Sequence, residues 1–446
     1  MTDIRLAYDI TVLGTYFSWP DSKTGIFRVT EEILNNLVQM PSIKTDLVSL
    51  CGEEIVFTSV GCEEYLKSRQ SQERPCFSHF QNVHFQATYQ SRLSLEWLYS
   101  IFFRQYFSEN FHQRSKFSLE ALLVRGSSKI LDKSKFFKFD IYRHFNPKSF
   151  DVFHSPYYKL PSREVTKDLP RLITIYDLIP ITAKQFVNAG LNSYFFRLLN
   201  SIDCEHDWVA CISEHTKQEF CSYTGFPEER AFVTYLAADS LFSPLEDKSK
   251  INQVRARYGI PDSEYFLCLA SHLDPRKNIF HLIKSFVRLI SENPHMDVNL
   301  VLIGTLRFER EDVAKALSEF SNYRDRIIFT GYVPDEDLTP IYNGSVAFVF
   351  PSLYEGFGLP ILEAMQSGTP VISSNSTSMP EVAGDAAILV DPTSEDQLCA
   401  AMLDILQDQT LRSDLIARGL KQARAFSWER CTQETVEIYK KMMSSV

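Results

Sequence analysis

A chain of 446 residues with 44% hydrophobic and 23% charged side chains has the composition of a globular protein, long enough for two domains that each bury a core. Its formal net charge of −10 argues against general nucleic-acid binding, which needs a basic surface to neutralise phosphates. No apolar run approaches the roughly 18 residues of a membrane span, and Met1-Thr2-Asp3-Ile4-Arg5 lacks a signal-peptide core, so the expected location is cytoplasmic. Nine cysteines without a C-x-x-C pair or a Cys/His cluster at zinc spacing read as reduced thiols, with no metal site written in the sequence.

Taken in chain order, the first half offers strand candidates at 4–10, 46–50, 151–154, 172–176, 208–212 and 231–234. Thr24-Gly25-Ile26-Phe27-Arg28 precedes a helical pattern running to residue 40, a setting in which Arg28 points toward a cleft. From 92 to 145 the chain changes character, with ten Lys or Arg against five Asp or Glu and thirteen aromatics. Such a segment suits peripheral contact with an anionic membrane leaflet, and equally a core helix pair with solvated lysines. Asp151-Val152-Phe153-His154-Ser155-Pro156 ends a buried strand on a histidine, and Thr174-Ile175-Tyr176-Asp177-Leu178-Ile179-Pro180 closes the next. Ser213 is placed to cap the helix that starts at Glu214. Around 237–250, Phe242-Ser243-Pro244 breaks any regular element and marks an interdomain linker.

The second half alternates regularly. Apolar runs at 265–270, 299–303, 326–330, 347–350, 370–373 and 387–390 are separated by turns and helical patterns, which predicts a parallel doubly wound sheet. Asp274-Pro275-Arg276-Lys277-Asn278 places two cations at the carboxyl end of the first of these strands, where ligands bind in open α/β sheets. There they would stabilise charge on a departing diphosphate, a role elsewhere given to a metal. Gly304 ends one strand and Gly331 follows another. The run Glu355-Gly356-Phe357-Gly358-Leu359-Pro360-Ile361-Leu362-Glu363 then sets two carboxylates eight residues apart across a glycine turn, Glu355 on the loop and Glu363 in the first turn of a helix. Open backbone N–H groups along Gly356, Phe357, Gly358 and Leu359 suit a phosphate, and ionised carboxylates accept hydrogen bonds from sugar hydroxyls. Trp428, Cys431, Thr435, Ile438 and Met442 form the stripe of a terminal helix.

The segment E-G-F-G-L-P-I-L-E-A-M-Q-S-G-T-P-V-I resembles the E-x7-E signature of retaining glycosyltransferases of family 4, also called group 1, with the GT-B fold. The resemblance is most specific over 271–392, looser over 151–244 and weakest over 50–148. It implies two Rossmann-like domains facing a cleft: 1–240 with the basic insertion at about 92–145 on the acceptor side, 251–424 binding a nucleotide sugar, and a helix in 425–446 packing on the first domain. It further implies that Glu355 contacts the transferred sugar and Glu363 the ribose hydroxyls. Arg276 and Lys277 would hold the diphosphate, Gly25 would approach the donor phosphates, and the loops at Gly304 and Gly331 would hold the base through backbone groups. His154 and Asp177 become acceptor-side candidates.

The chain departs from the family pattern at Phe27, where a second glycine is usual, at Tyr176, which replaces a histidine, and at Ser271 and His272, where smaller residues stand. T-G-I-x-R, F-H-S-P, D-L-I-P and P-R-K-N together resemble bacterial mannosyltransferases of O-antigen and surface-polysaccharide synthesis. GDP-mannose is accordingly the expected donor, a glycan or lipid-linked hydroxyl the expected acceptor, and no metal or other cofactor is expected. A UDP-sugar donor and a non-catalytic scaffold are the alternatives. A nicotinamide-dependent oxidoreductase would need G-x-G-x-x-G after its first strand, where this chain has Leu13-Gly14-Thr15-Tyr16.

Overall fold

Strands buried on both faces must be apolar throughout, and the chain satisfies this twice over. The computed structural model describes residues 3–17, 25–51, 61–63, 65–69, 88–91, 119, 137–140, 145–186, 189–270, 274–304 and 318–445. Six strands of the first half, β1 (Ile4–Asp9), β2 (Ile43–Val48), β5 (Val152–Ser155), β6 (Arg171–Ile175), β7 (Trp208–Cys211) and β8 (Ala231–Val233), form one parallel sheet in the order β2-β1-β5-β6-β7-β8. Between β2 and β5, β3 (Thr88–Ser91) and β4 (Phe137–Asp140) pair antiparallel with each other. Six strands of the second half, β9 (Glu264–Leu269), β10 (Val298–Ile303), β11 (Ile327–Gly331), β12 (Ala347–Phe350), β13 (Val371–Ser374) and β14 (Ile388–Val390), form a second parallel sheet in the order β11-β10-β9-β12-β13-β14. This is the doubly wound order, in which all strands run parallel and the order of strand addition reverses between β9 and β12.

The helices that position the site are α1 (Thr11–Phe17), α2 (Gly25–Gln39), α3 (Glu214–Thr224), α4 (Ile279–Glu292), α5 (Asp335–Gly344), α6 (Leu359–Gln366), α7 (Met379–Ala383) and α8 (Trp428–Ser444). In α8 all five residues of the expected stripe are buried, together with Val436 and Tyr439, and the helix packs against α2 and β5 of the first domain. None of the described helices is long and apolar enough to cross a membrane.

The strand expectations fall within a few residues of the structure, with two informative differences. β2 begins three residues before the expected 46, because it is an edge strand whose Lys44 is exposed and breaks the apolar run. The linker expected at 237–250 ends earlier, since Asp247 caps a helix that starts at Lys248, its carboxylate accepting from the N–H groups of Ser249 and Lys250. Thr24, Ser271, His272 and nearly all of the basic segment at 92–145, and with it the expectation of membrane contact, lie outside the described residues.

Candidate active site

The loops after β9 and β12 leave adjacent strands at the reversal point of the second sheet, so their side chains converge. After β9, Asp274 caps a single turn: its carboxylate accepts from the Arg276 backbone N–H at 3.0 Å and from Arg276 Nε and Nη2 at 3.1 and 2.9 Å. Asn278 closes that turn at φ 56°, a left-handed conformation that asparagine tolerates, and its amide donates to the carbonyls of Pro351 and Pro392. This ties the two loops together, and the Leu353 N–H donates to the Arg276 carbonyl at 2.7 Å in the same seam.

The result is a buried charge cluster. Lys277, 8% exposed, donates from Nζ to Glu355 Oε1 at 2.8 Å and lies 4.6 Å from the centre of the Phe350 ring. Arg276 Nη1 donates to the Tyr354 carbonyl at 3.1 Å and lies 3.5 Å from Glu355 Oε2. Burial alone would raise the Glu355 carboxyl; Lys277 and then Arg276 outweigh it and hold the group below the ordinary glutamate value. The Glu355 turn is clamped from β13's side. The Ser378 hydroxyl lies 2.9 and 2.8 Å from the Glu355 and Phe357 carbonyls, and the Glu355 N–H donates to Thr377 Oγ1 at 3.2 Å. Gly358 then takes φ 113°, open only to glycine without strain, and α6 starts at Leu359 with Pro360 in its first turn.

Glu363 is the fifth residue of α6, one position deeper than a helix starting at Pro360 would set it, because the helix begins directly after Gly358. At 6% exposure it is held from two sides: Arg28 Nη1 of α2 donates to Oε1 at 3.0 Å and the Tyr342 hydroxyl of α5 lies 3.3 Å from Oε2. Burial raises its carboxyl, Arg28 opposes the rise and Asp335 adds to it. Glu355 and Glu363 thus belong to separate charge clusters, one within the second domain and the other shared with the first.

The first domain approaches the same turn. Ser213 caps α3 by accepting from the Thr216 N–H at 3.0 Å and donates its hydroxyl to the Gly356 carbonyl at 2.8 Å. A Cβ on Gly356 would stand 2.2 Å from the Tyr176 carbonyl and 3.0 Å from Asp177 Cβ, so only glycine permits this approach. Asp177 accepts from the Ile179 N–H at 3.0 Å; burial pushes its carboxyl up to about 6, against the pull of Arg276, while Glu355 and Glu219 push it further. Gly25 starts α2 with its Cβ position 3.7 Å from Leu359 Cδ1. Gly304 and Gly331 sit at the carboxyl ends of β10 and β11, the Gly304 N–H donating to the Gly331 carbonyl at 2.9 Å.

The structure therefore brings Arg276, Lys277, Glu355, Gly356 and Asp177 together, and sets Gly25, Leu359 and Glu363 beside them. His154 differs from its expected place on the acceptor side. It is 1% exposed, with Nδ1 2.7 Å from the Tyr439 hydroxyl of α8 and Nε2 2.9 Å from Thr174 Oγ1, and burial holds its pKa at about 3. That is a neutral histidine joining a strand to the terminal helix. Four residues of the site carried no sequence signal: Tyr342, Asp335, Ser378 and Glu381. Glu381 of α7 accepts from the Glu214 and His215 N–H groups at 2.9 and 3.1 Å, so a carboxylate from the second domain caps α3 of the first. Among the described residues no group of three or more His, Cys, Asp or Glu is placed to hold a metal ion.

Comparison with known proteins agrees with this architecture. Residues 250–422 match the family model described as "Glycosyl transferases group 1". The O-antigen chain mannosyltransferase B of Escherichia coli is 36% identical over 290 residues, 65% of this chain and 74% of that protein. The serotype-specific mannosyltransferase WbdA of Escherichia coli is 31% identical over 275 residues, 60% of this chain but only 33% of its own length. A solved glycosyltransferase from Rickettsia africae ESF-5 shares the fold, with a TM-score of 0.60 over the full length of both chains at 16% identity. The chain belongs to the group 1 glycosyltransferases, built on the GT-B fold and similar to the O-antigen mannosyltransferases.

Proposed function

We propose that the protein transfers mannose from GDP-mannose to a hydroxyl of a glycan or lipid-linked acceptor in surface-polysaccharide synthesis, with retention of anomeric configuration and without a metal. The observation that carries this is the buried Arg276–Lys277–Glu355 cluster at the reversal point of the second sheet. Two cations held within a few ångströms of one carboxylate, beside a glycine turn, suit a diphosphate that leaves while its sugar is gripped. The mannosyl assignment rests on the names of the two E. coli relatives.

In this reading the donor lies against the second domain. Arg276 and Lys277 neutralise charge as the glycosidic C–O bond breaks. Glu355 orients the sugar, Glu363 accepts from the ribose hydroxyls, and Asp177 accepts from the incoming acceptor hydroxyl. Glu355 has both oxygens engaged by cations and Glu363 has both engaged by Arg28 and Tyr342, which favours roles as fixed acceptors over nucleophilic attack. Front-face attack within an ion pair, rather than a covalent glycosyl-enzyme, follows from that and from the E-x7-E resemblance.

Thermal stabilisation by GDP, UDP and ADP and by their sugar conjugates, with and without chelator, tests the donor. A shift with GDP and GDP-mannose that persists in chelator, followed by an α-linked product in NMR, is expected. A shift with UDP alone would replace the donor, and no shift with any diphosphate would favour a scaffold.

A further inference from the structure

The donor site described above lies almost wholly in the second domain, yet one of its two carboxylates is held by the first. Gly25 and Arg28 are one turn apart on α2, and they meet Leu359 and Glu363, one turn apart on α6. The first turns of the two helices therefore meet across the domain boundary. Arg28 donates from Nη1 to Glu363 Oε1 at 3.0 Å and from Nη2 to Asp335 Oδ2 at 2.5 Å, so a single guanidinium bridges α6 and the first residue of α5. The arginine is mostly enclosed, with 22% of its side chain exposed against 8% for Glu363.

A carboxylate accepts about four hydrogen bonds. Arg28 and Tyr342 each take one, one on either oxygen, which leaves one further position on each oxygen, the number that the 2′- and 3′-hydroxyls of a ribose require. A planar guanidinium with two anchored ends also fixes the plane of its partner in a way that a lysine ammonium does not. We propose that Arg28 is a positioning residue for the donor: it orients Glu363 to grip the ribose hydroxyls, so that nucleotide recognition is completed only when the two domains stand together. This rests on the donor reading given above and adds a residue from the opposite domain to it.

The charges around Glu363 sharpen the expectation. Arg28 is the cation facing it; Asp335 is bound to the other nitrogen of Arg28, the Tyr342 hydroxyl faces the second carboxylate oxygen, and Asp239 lies near Arg28. Without Arg28 the buried carboxyl has only acidic or neutral neighbours among these groups, so it takes up a proton more readily and grips hydroxyls less well as pH falls.

The test is calorimetric titration of GDP and UDP, and of their 2′,3′-dideoxy forms, into the unaltered chain, Arg28→Lys and Arg28→Met at pH 6 and pH 8, with circular dichroism confirming that each variant is folded. The unaltered chain should bind one of the two ribonucleotides at least tenfold tighter than its dideoxy form. Arg28→Met should bind that ribonucleotide at least tenfold more weakly, more so at pH 6, and should lose most of the discrimination; Arg28→Lys should fall between. Unchanged discrimination in Arg28→Met would make Arg28 a bystander at the domain boundary, and tighter binding would make it a plug; either overturns the proposal and leaves the donor reading standing. Failure of the unaltered chain to bind either diphosphate would remove the donor reading and this proposal with it.

Discussion

Asp177 and Glu355 are two carboxylates beside one arginine, and their surroundings push them in opposite directions. Glu355, with Lys277 and Arg276 against it, is held below the ordinary glutamate value, so its contribution to stability is present above about pH 4.5 and is lost as pH falls through its depressed pKa. Asp177 is raised to about 6 by burial. Its native state therefore binds a proton more readily than the unfolded chain, and the cost of its buried charge is felt in full above pH 6 and disappears as pH falls toward 4. Asp177→Asn, which keeps an acceptor for the Ile179 N–H, should raise stability at pH 7.5 by at most about 3 kcal/mol. The gain should vanish near pH 4, while transfer falls by about a hundredfold. Melting temperatures of the two proteins that run parallel from pH 4 to 8 would show that Asp177 carries no such strain. Glu355, Glu363, Arg276 and Lys277 were legible because their types and spacing are fixed by chemistry: two acids around a glycine turn, two bases after a strand; Asp177 was reached only through the family resemblance. His154 was not, since its burial depends on Tyr439, 285 residues away in sequence.

Elements were legible where both faces of a strand are covered, as in β5, β7, β10 and β12, because an apolar run then has one reading. The edge strand β2 and the start of α6 were less so: exposure mixes polar residues into the first, and the φ of Gly358, which sets the helix start and so the depth of Glu363, follows from packing. The glycine turn between β12 and α6 also illustrates an element built for a neighbour. The Cβ position of Gly356 points at the Tyr176 backbone and Asp177, that is, at the other domain. A backbone carbonyl cannot step aside as a flexible side chain can, so Gly356→Ala should prop the two domains apart without disturbing either core. Donor binding should weaken by about tenfold, as Arg28 is drawn away from Glu363, whereas transfer should fall by about a thousandfold or more. Equal losses in both would place the defect in the donor site itself.

At the scale of the whole molecule, the two domains share apolar packing such as Tyr235 with Phe357, and beside it polar contacts whose partners come from opposite halves of the sequence. These are Arg28 with Glu363 and Asp335, Ser213 with the Gly356 carbonyl, the Tyr354 hydroxyl with Glu219, and Glu381 on the first N–H groups of α3. Sequence periodicity holds no information about such pairs, since each half would fold the same way without them. Polar seams of this kind exchange protein partners for water at little net cost, which is what a cleft that opens to admit a nucleotide sugar requires. Glu381 is the member of the seam least involved in the donor site: its carboxylate satisfies two otherwise unpaired N–H groups at a helix N-terminus and accepts from the Tyr235 hydroxyl at 3.2 Å. Its removal should shift the molecule toward an open arrangement while leaving Arg276, Lys277, Glu355 and Glu363 in place. Glu381→Ala should therefore enlarge the radius of gyration in small-angle scattering and speed proteolysis within 237–247. A saturating donor should reverse both effects by drawing the domains together. A scattering curve identical to that of the unaltered chain would mean that the remaining contacts already decide how the domains sit, and that Glu381 does no more than cap a helix.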